Sequence, residues 1–463
     1  MRARRLRCRS SAAERVCADV ADPDRVAVLV LDLVDRSMLV ANVALADRAS
    51  RYAVLETMRA YGRDRLAERG ETARASRAHA EWAAAYAESA EAGIQGADEA
   101  RLVDALIATT DDLRAAHRWA LGHDLELAVR LLAPLFWYAE FRTAEMLDWA
   151  QRTVEAAERA AFTHPRLPVV YAMAAVAARF RGDLERTATL AGTGARLAGG
   201  GAAGFAPRNI LADVAFFEGR LVEAEGQFVE LARDTAAAGE RYPLAVALWM
   251  RALCRAYRGD RAAALTYAEQ AHLEAVGLGN PSMMGWASYT EAETLLDLDP
   301  SRALRLLDEA STFARAVGNR YLDGVASISA ASVQARHGNP LQALRQFRDV
   351  LTMWHDAAGW TQLWMAMRSV IDLLSRVGAD EDAATLYGAV EASPTATPVF
   401  GDDAERLRSA LRISTERLGA EHVAAAVHRG AALGDDGAVN AATAAIDAAT
   451  TAAQQALSDG PDQ

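Results

Sequence analysis

Residues able to do chemistry are sparse in this chain and poorly spaced for it. Among nine histidines, His117 with His123 and His422 with His428 come nearest to a ligand pair. A spacing of six turns two side chains to different faces of a helix, and no His-Glu-x-x-His occurs to place two imidazoles one turn apart. The glycines Gly192, Gly194, Gly199, Gly200, Gly201 and Gly204 suggest a phosphate cradle at first sight. They follow a helix rather than a strand and match neither Gly-x-Gly-x-x-Gly nor Gly-Lys-Ser/Thr, so they read as a flexible connection. Glu291 and Glu293, two apart on a helix, diverge instead of converging for acid/base work, and no Gly-x-Ser-x-Gly nucleophile elbow is present. All 50 basic residues are arginine. Without an ε-amine there is no Walker A lysine, no lysine Schiff base and no pyridoxal-phosphate anchor. The expectation is a chain without enzyme activity, metal centre or cofactor of its own. What remains is binding chemistry: Trp249, Trp286, Tyr289 and Trp364 as an aromatic groove, with Arg251 or Arg368 pairing an anionic group of a partner or effector. The alternative for the same rings is ordinary packing.

The elements that would position this set repeat along the chain. Tight-turn signals at Gly182-Asp183, Gly219-Arg220, Gly259-Asp260, Asp299-Pro300, Gly338-Asn339 and Gly378-Ala379 are separated by 37, 40, 40, 39 and 40 residues. A second series of breaks, at Gly239, Gly279, Gly318 and Gly359, falls midway. Two helices and two short turns use up such a period, so the unit is a helical hairpin. A small residue follows each turn: Thr187, Ala224, Ala264, Ala303, Ala343 and Ala383. Such a residue lets the second helix approach the first, while larger ones such as Phe228 and Phe347 fill the space between neighbouring hairpins. One hairpin cannot bury its apolar face, but a stack can. The period exceeds the 34 residues of the strict tetratricopeptide repeat. The predicted fold is therefore an all-α, tetratricopeptide-like helical-hairpin superhelix over 161–392, with the candidate aromatic residues on the first helices, lining an elongated concave surface.

Four further zones flank the repeats. Residues 1–14 form a basic start, with Arg2, Arg4, Arg5, Arg7 and Arg9, predicted to be disordered; a nucleic-acid-binding arm is the alternative. In 15–70 a short apolar helix over Val26–Asp35, β-prone stretches at Met38–Ala44 and Arg51–Leu55, and a helix over Glu56–Arg69 give the order of the back half of a winged-helix domain, with its front half missing. A helical linker domain over 71–160 follows, with helices expected at Ala75–Ala92, Glu99–Leu121, Leu125–Glu140 and Thr143–Ala161. Residues 393–463 are expected to be a C-terminal helical cap with an acidic tail. The net charge of −12 argues against a broad surface for nucleic acid or anionic membrane. Three scattered cysteines, with no long apolar run, point to a cytoplasmic protein.

Some phrases resemble the C-terminal half of bacterial STAND-type regulatory ATPases, the AfsR-like and large LuxR-type transcriptional regulators. They are Leu31-Asp-Leu-Val-Asp-Arg-Ser37, Arg51-Tyr-Ala-Val-Leu-Glu-Thr-Met-Arg-Ala-Tyr61 with Arg65-Leu66 and Gly70-Glu71, Arg77-Ala-His79, and Asp111-Asp-Leu-Arg-Ala-Ala-His-Arg-Trp-Ala-Leu121. Ala384-Thr-Leu-Tyr-Gly-Ala-Val-Glu391 and Leu418-Gly419 with Gly430 look like the closing segment. The resemblance implies a winged helix and helical repeats that sense a signal or restrain an ATPase of the NB-ARC type. Here the lysine-free sequence provides no Walker A loop, and the segment after Gly430 does not read as a LuxR-type helix-turn-helix. The expectation is a sensor and protein-interaction arm, with ATP or ADP bound only if a partner or a missing N-terminal part supplies the nucleotide domain. A stand-alone scaffold binding a peptide or protein is the alternative, and an enzyme with an active site outside known motifs a third reading.

Overall fold

A computed structural model of the chain describes residues 7–43 and 50–458. Six helical hairpins form its body: Leu167–Phe180 with Leu184–Ala198, Phe205–Phe217 with Leu221–Ala238, Arg241–Tyr257 with Arg261–Leu278, Pro281–Leu295 with Pro300–Ala316, Arg320–His337 with Pro340–Asp356, and Trp360–Arg376 with Asp380–Ala392. Their starts are set by the residues the repeat places there. The side chains of Asp183, Asp260, Asn280, Asp299, Asn319 and Asn339 accept from backbone N–H groups of the first turn. These caps satisfy donors that have no partner inside the helix, and Pro281, Pro300 and Pro340 sit where a missing N–H costs nothing. Two of the outer helices stop at Gly239 and Gly279, whose φ of 75° and 64° lie in the left-handed region that glycine enters without a Cβ clash.

The small residue after each turn is buried in every hairpin: Thr187, Ala224, Ala264, Ala303 and Ala343 are fully enclosed and Ala383 nearly so. Phe228 and Phe347 are likewise enclosed, between hairpins. The fold is the all-α stack that the period requires.

The stack turns back on itself far more tightly than an elongated concave surface would. Asn280 donates to the carbonyl of Ile94, 186 residues away, and Ser282 donates from its backbone to Glu99, 183 away. Arg142 donates to the carbonyl of Val317, 175 away, and the hydroxyl of Thr361 to the carbonyl of Arg179, 182 away. Contacts at a near-constant separation of about 180 residues mean that one superhelical turn takes four to five hairpins, after which successive turns touch. The inner face is thus an interior and not an open groove, a correction to the expected recognition surface. Small rotations between hairpins set this curvature by summation, and no local sequence signal carries their total.

The helical zone before the repeats belongs to the same body. Helices Thr72–Ile94, Glu99–His123, Leu125–Leu132, Phe136–Arg142 and Ala144–Arg159 share one apolar cluster with the repeats, running from Ala80 to Ile446. The helix expected over 125–140 is broken by a 3-10 turn at Ala133–Leu135, because Pro134 lacks an N–H and its ring clashes with the preceding turn. At the other end, helices Gly401–Leu418, Ala420–Ala431 and Asp435–Ser458 cover the last hairpins. The alanine-rich last helix caps the stack through buried Ala438, Ala442 and Ile446, and two of its acids pair outward, Asp447 with Arg348 and Asp436 with His355.

Near the N-terminus, helix Pro23–Asp35, strands Leu39–Val43 and Ser50–Val54, and helix Glu56–Glu68 follow in the expected order. Residues 7–14 are not the disordered start that their arginines suggest. Arg7–Arg9 is a strand paired antiparallel with Ser50–Val54, making a three-stranded sheet, and Ser10–Val16 is a helix. An edge strand is held by backbone hydrogen bonds that charge composition does not report. The rest of the basic start, residues 1–6, lies outside the described residues. Among the described residues no helix is long and apolar enough to cross a membrane.

Candidate functional site

The first helices of the hairpins face the interior and carry a chain of rings. Trp249 stacks on Trp286 with centroids 4.4 Å apart and planes 6° from parallel. Trp286 meets Tyr289 edge-on at 5.6 Å and reaches Phe141 and Tyr321 at 5.7 and 5.8 Å. Trp249, Trp286 and Tyr289 line a cavity of about 60 Å³, and the indole N–H groups of Trp249 and Trp286 have no hydrogen-bond partner. All three rings are buried. The structure therefore brings these sequence candidates together, but inside the superhelical turn rather than on an open face.

Arg251 is not part of this set. Its guanidinium lies 4.0 Å from the ring centroid of Tyr267, on the second helix of the same hairpin. Trp364 and Arg368 face inward on helix Trp360–Arg376, but the chain itself covers them. The segment after Ala392, Ser393-Pro-Thr-Ala-Thr-Pro-Val-Phe400, forms no helix, because two prolines punctuate it, and runs as a strap across the inner face. The indole of Trp364 donates to the hydroxyl of Thr395 at 2.7 Å. Arg368 donates through Nη2 to the carbonyl of Thr397 at 2.5 Å, to its hydroxyl at 2.7 Å and to the carbonyl of Pro398 at 3.3 Å. The strap passes Gly182, where an added Cβ would lie 2.7 Å from Thr395 Cβ, and its Phe400 ring rests on Gly219.

Charged groups, of which the sequence singled out only Glu293, complete the interior. Arg179, 4% exposed, donates to Asp213 at 2.5 Å and to Glu140 at 3.1 Å, one cation between two carboxylates. Burial pushes the carboxyl of Asp213 up to about 7 against the pull of Arg179, and that of Glu140 upward for the same reason. Farther along, Glu293 accepts from the hydroxyls of Tyr257 at 2.7 Å and Ser329 at 2.5 Å, and burial raises its carboxyl too. Asp297 is shared by Arg336 at 2.9 Å and His337 at 2.7 Å, and Arg406 pairs with Asp403 at 2.8 Å. A signal for the first group was available: Asp213 stands alone as an acid in Phe205-Ala-Pro-Arg-Asn-Ile-Leu-Ala-Asp-Val-Ala-Phe-Phe217, a helix otherwise apolar on most faces. A lone acid there needs a buried partner.

Arg179, Asp213 and Glu140 line the smaller cavity, while Glu293, Asp297, Arg336, Arg406 and the strap enclose a second, larger chamber of about 150 Å³. Phe216, Tyr257, Tyr289, Met365 and Phe400 supply its apolar wall, Arg336, Arg368 and Arg406 its cations, and exposed Arg261, Gly401 and Asp402 its mouth. No cluster of three or more histidine, cysteine or acidic side chains able to hold a metal occurs among the described residues. The arrangement can bind and enclose a small molecule.

Neither a scan of protein-family models nor a search of curated proteins returns a match for this chain. Among solved structures it is similar to a signal transduction ATPase with numerous domains from Pyrococcus horikoshii, a STAND protein with a tetratricopeptide repeat sensor. The TM-score is 0.45 at 13% identity, covering 90% of this chain and 59% of that one. It is also similar to a Rap protein complexed with competence and sporulation factor, with a TM-score of 0.46 at 13% identity, over 76% of this chain and 99% of that one.

Proposed function

We propose that this chain is the sensor and protein-interaction arm of a STAND-type transcriptional regulator of the AfsR-like or large LuxR-type kind, non-enzymatic and acting in the cytoplasm. The observation that carries the sensing half is the strapped chamber: an arginine-bearing enclosure, apolar on one wall, whose lid is the chain's own strap, Ser393–Phe400. An effector that prefers one arrangement of lid and inner helices shifts the population of that arrangement, and with it the surface offered to an ATPase partner. The regulatory half is supported by the Leu-Glu-Thr-x-Arg-x-Tyr and Asp-Leu-Arg-Ala-Ala phrases. Nucleotide chemistry would come from an NB-ARC-like domain on another polypeptide segment, since these 463 residues contain no lysine.

The test is capture of an NB-ARC-like ATPase encoded beside this gene by the purified chain, together with calorimetry of ATP against the chain alone. Capture without nucleotide binding is the expected result. Saturable micromolar ATP binding by the isolated chain would refute the arm assignment.

A further inference from the structure

Of the buried arginines in the interior, Arg368 alone lacks a carboxylate. It is 4% exposed, and among the described residues no acidic oxygen lies within 4.0 Å of it. Arg142 has Glu99, Arg179 has two carboxylates and Arg336 has Asp297, while the half-buried Arg406 has Asp403. The strap answers the charge of Arg368 only with neutral oxygens, all on Nη2, and its Nε has no partner. A guanidinium offers five donors in a fixed fork. Enclosing one without an anion is costly, because water that would solvate the charge is excluded while nothing opposite replaces it. The neighbouring acids do not fill the role: Glu293 is engaged by two hydroxyls, and Asp297 and Asp403 by their own cations. The chamber beside Arg368 thus presents a guanidinium with no carboxylate in contact, Asp403 acting on it only from beyond 4.0 Å.

Size narrows the class further. A cavity of roughly 150 Å³ has room for one benzene-sized molecule. One uncompensated guanidinium matches one negative charge, and a doubly charged phosphate would be left half neutralised next to Asp403.

We propose that the chamber binds a small organic monocarboxylate with a body about the size of a single aromatic ring, its carboxylate on the fork of Arg368 and its ring among Tyr257, Tyr289, Met365 and Phe400. This deepens, and rests on, the assignment of the chain as an effector-reading arm. The carboxylate would take Nη1, the donor the strap leaves open, and Thr397 and Pro398, already on Nη2, would close over it.

Phenylacetate and benzoate are the probes, titrated into the intact chain by calorimetry, with phenylacetamide and phenyl phosphate in parallel. The expected result is saturable one-to-one binding of at least one of the two acids. Arg368→Met should weaken it about 10- to 100-fold, and the amide should lose a similar factor. Met365→Trp fills the chamber while leaving Arg368 in place, so it too should abolish binding; its melting curve separates a filled site from a lost fold. Absence of saturable binding for both acids up to about 10 mM, well beyond the range of specific effectors, would overturn the assignment. So would equal binding of the amide, or a preference for phenyl phosphate. Partner capture uses none of these compounds, so a chain that captures its ATPase yet ignores the acids would sink the ligand class and leave the arm standing.

Discussion

Replacing Gly430 by alanine should weaken the C-terminal cap, although the same change in an open helix strengthens it. Helices Asp380–Ala392 and Ala420–Ala431 cross with glycine on both sides. A Cβ at 430 would lie 2.7 Å from the carbonyl carbon of Thr385 and 3.1 Å from the nitrogen of Ala389, and one at 388 would lie 2.8 Å from the carbonyl carbon of Val427. Ordinary contact begins at 3.4 Å, and the atoms met are backbone, which no rotamer change can move aside. The helices must therefore part by on the order of 1 Å, loosening the packing of Ala384, Val423 and Ala426 between them. Overpacking of this kind costs about 1–3 kcal/mol, against a gain of about 1 kcal/mol for alanine over glycine in a helix interior. Because backbone is opposed to backbone, the upper half of that range applies, and a net loss of about 1–2 kcal/mol follows for each variant. The control is Gly226→Ala, in helix Leu221–Ala238, where nothing lies within 4 Å of the added methyl and stability should rise. Amide hydrogen exchange over 380–392 and 420–431 reads the local opening directly, with a rate increase of roughly 5- to 30-fold expected for Gly430→Ala or Gly388→Ala. Exchange unchanged or slowed in both, as in the control, would refute the close crossing.

Three other outcomes follow from the interior. Ala264→Trp and Ala343→Trp, each at a fully enclosed position, should cost roughly 1–3 kcal/mol by overpacking, and unchanged melting curves for both would contradict the register of the repeat. Asp213 is held near 7 inside the fold against about 4 unfolded. Its contribution is therefore fully present below about pH 4 and is lost as pH rises through 7, so Asp213→Asn should match the native chain below about pH 4 and exceed it by on the order of 4 kcal/mol at pH 8. A constant difference across that range in denaturant melts would mean that Asp213 is not the titrating group. His117 behaves in the opposite sense: burial holds it down to about 4, where it bonds Thr153 at 2.9 Å, so its stabilisation is present above pH 6.5 and lost as pH falls toward 4. His117→Gln should flatten the acid side of the stability profile, and an unaltered acid slope would exclude that residue as its source.

The hairpin period, its turns and its enclosed small residues were legible because each depends on local chemistry: a glycine with positive φ, an Asp or Asn cap, an alanine where two helices approach. The closure of the superhelix was not. It arises from rotations summed over four to five hairpins, and its contacts, such as Asn280 with Ile94, join residues that no short window contains. The candidate site was legible in part. Trp249, Trp286, Tyr289, Trp364 and Arg368 do face inward, as their place on first helices predicts, but Arg251 turns to Tyr267 within its own hairpin. The pairing of Arg368 with the strap could not be read, because a proline-bearing loop such as Ser393–Phe400 has no periodicity to say where it lies. The third strand at Arg7–Arg9 was obscured by the same rule in reverse, its charge suggesting a solvated tail while backbone pairing decides its structure.

The closed turn is the premise on which chamber, strap and ligand class depend, and one distance tests it. Arg181 and Ala358 are exposed, and lie two and three residues from Arg179 and Thr361, whose contact joins successive turns. Spin labels at these two positions, in a chain with its native cysteines replaced, report the separation in solution. The reach of the intervening backbone keeps their Cα atoms within about 25 Å if the turn closes. An open stack would separate them by five hairpin steps of about 10 Å, roughly 40–50 Å. A single short distance is the result expected here, and a distribution centred near the longer value would contradict the enclosed interior.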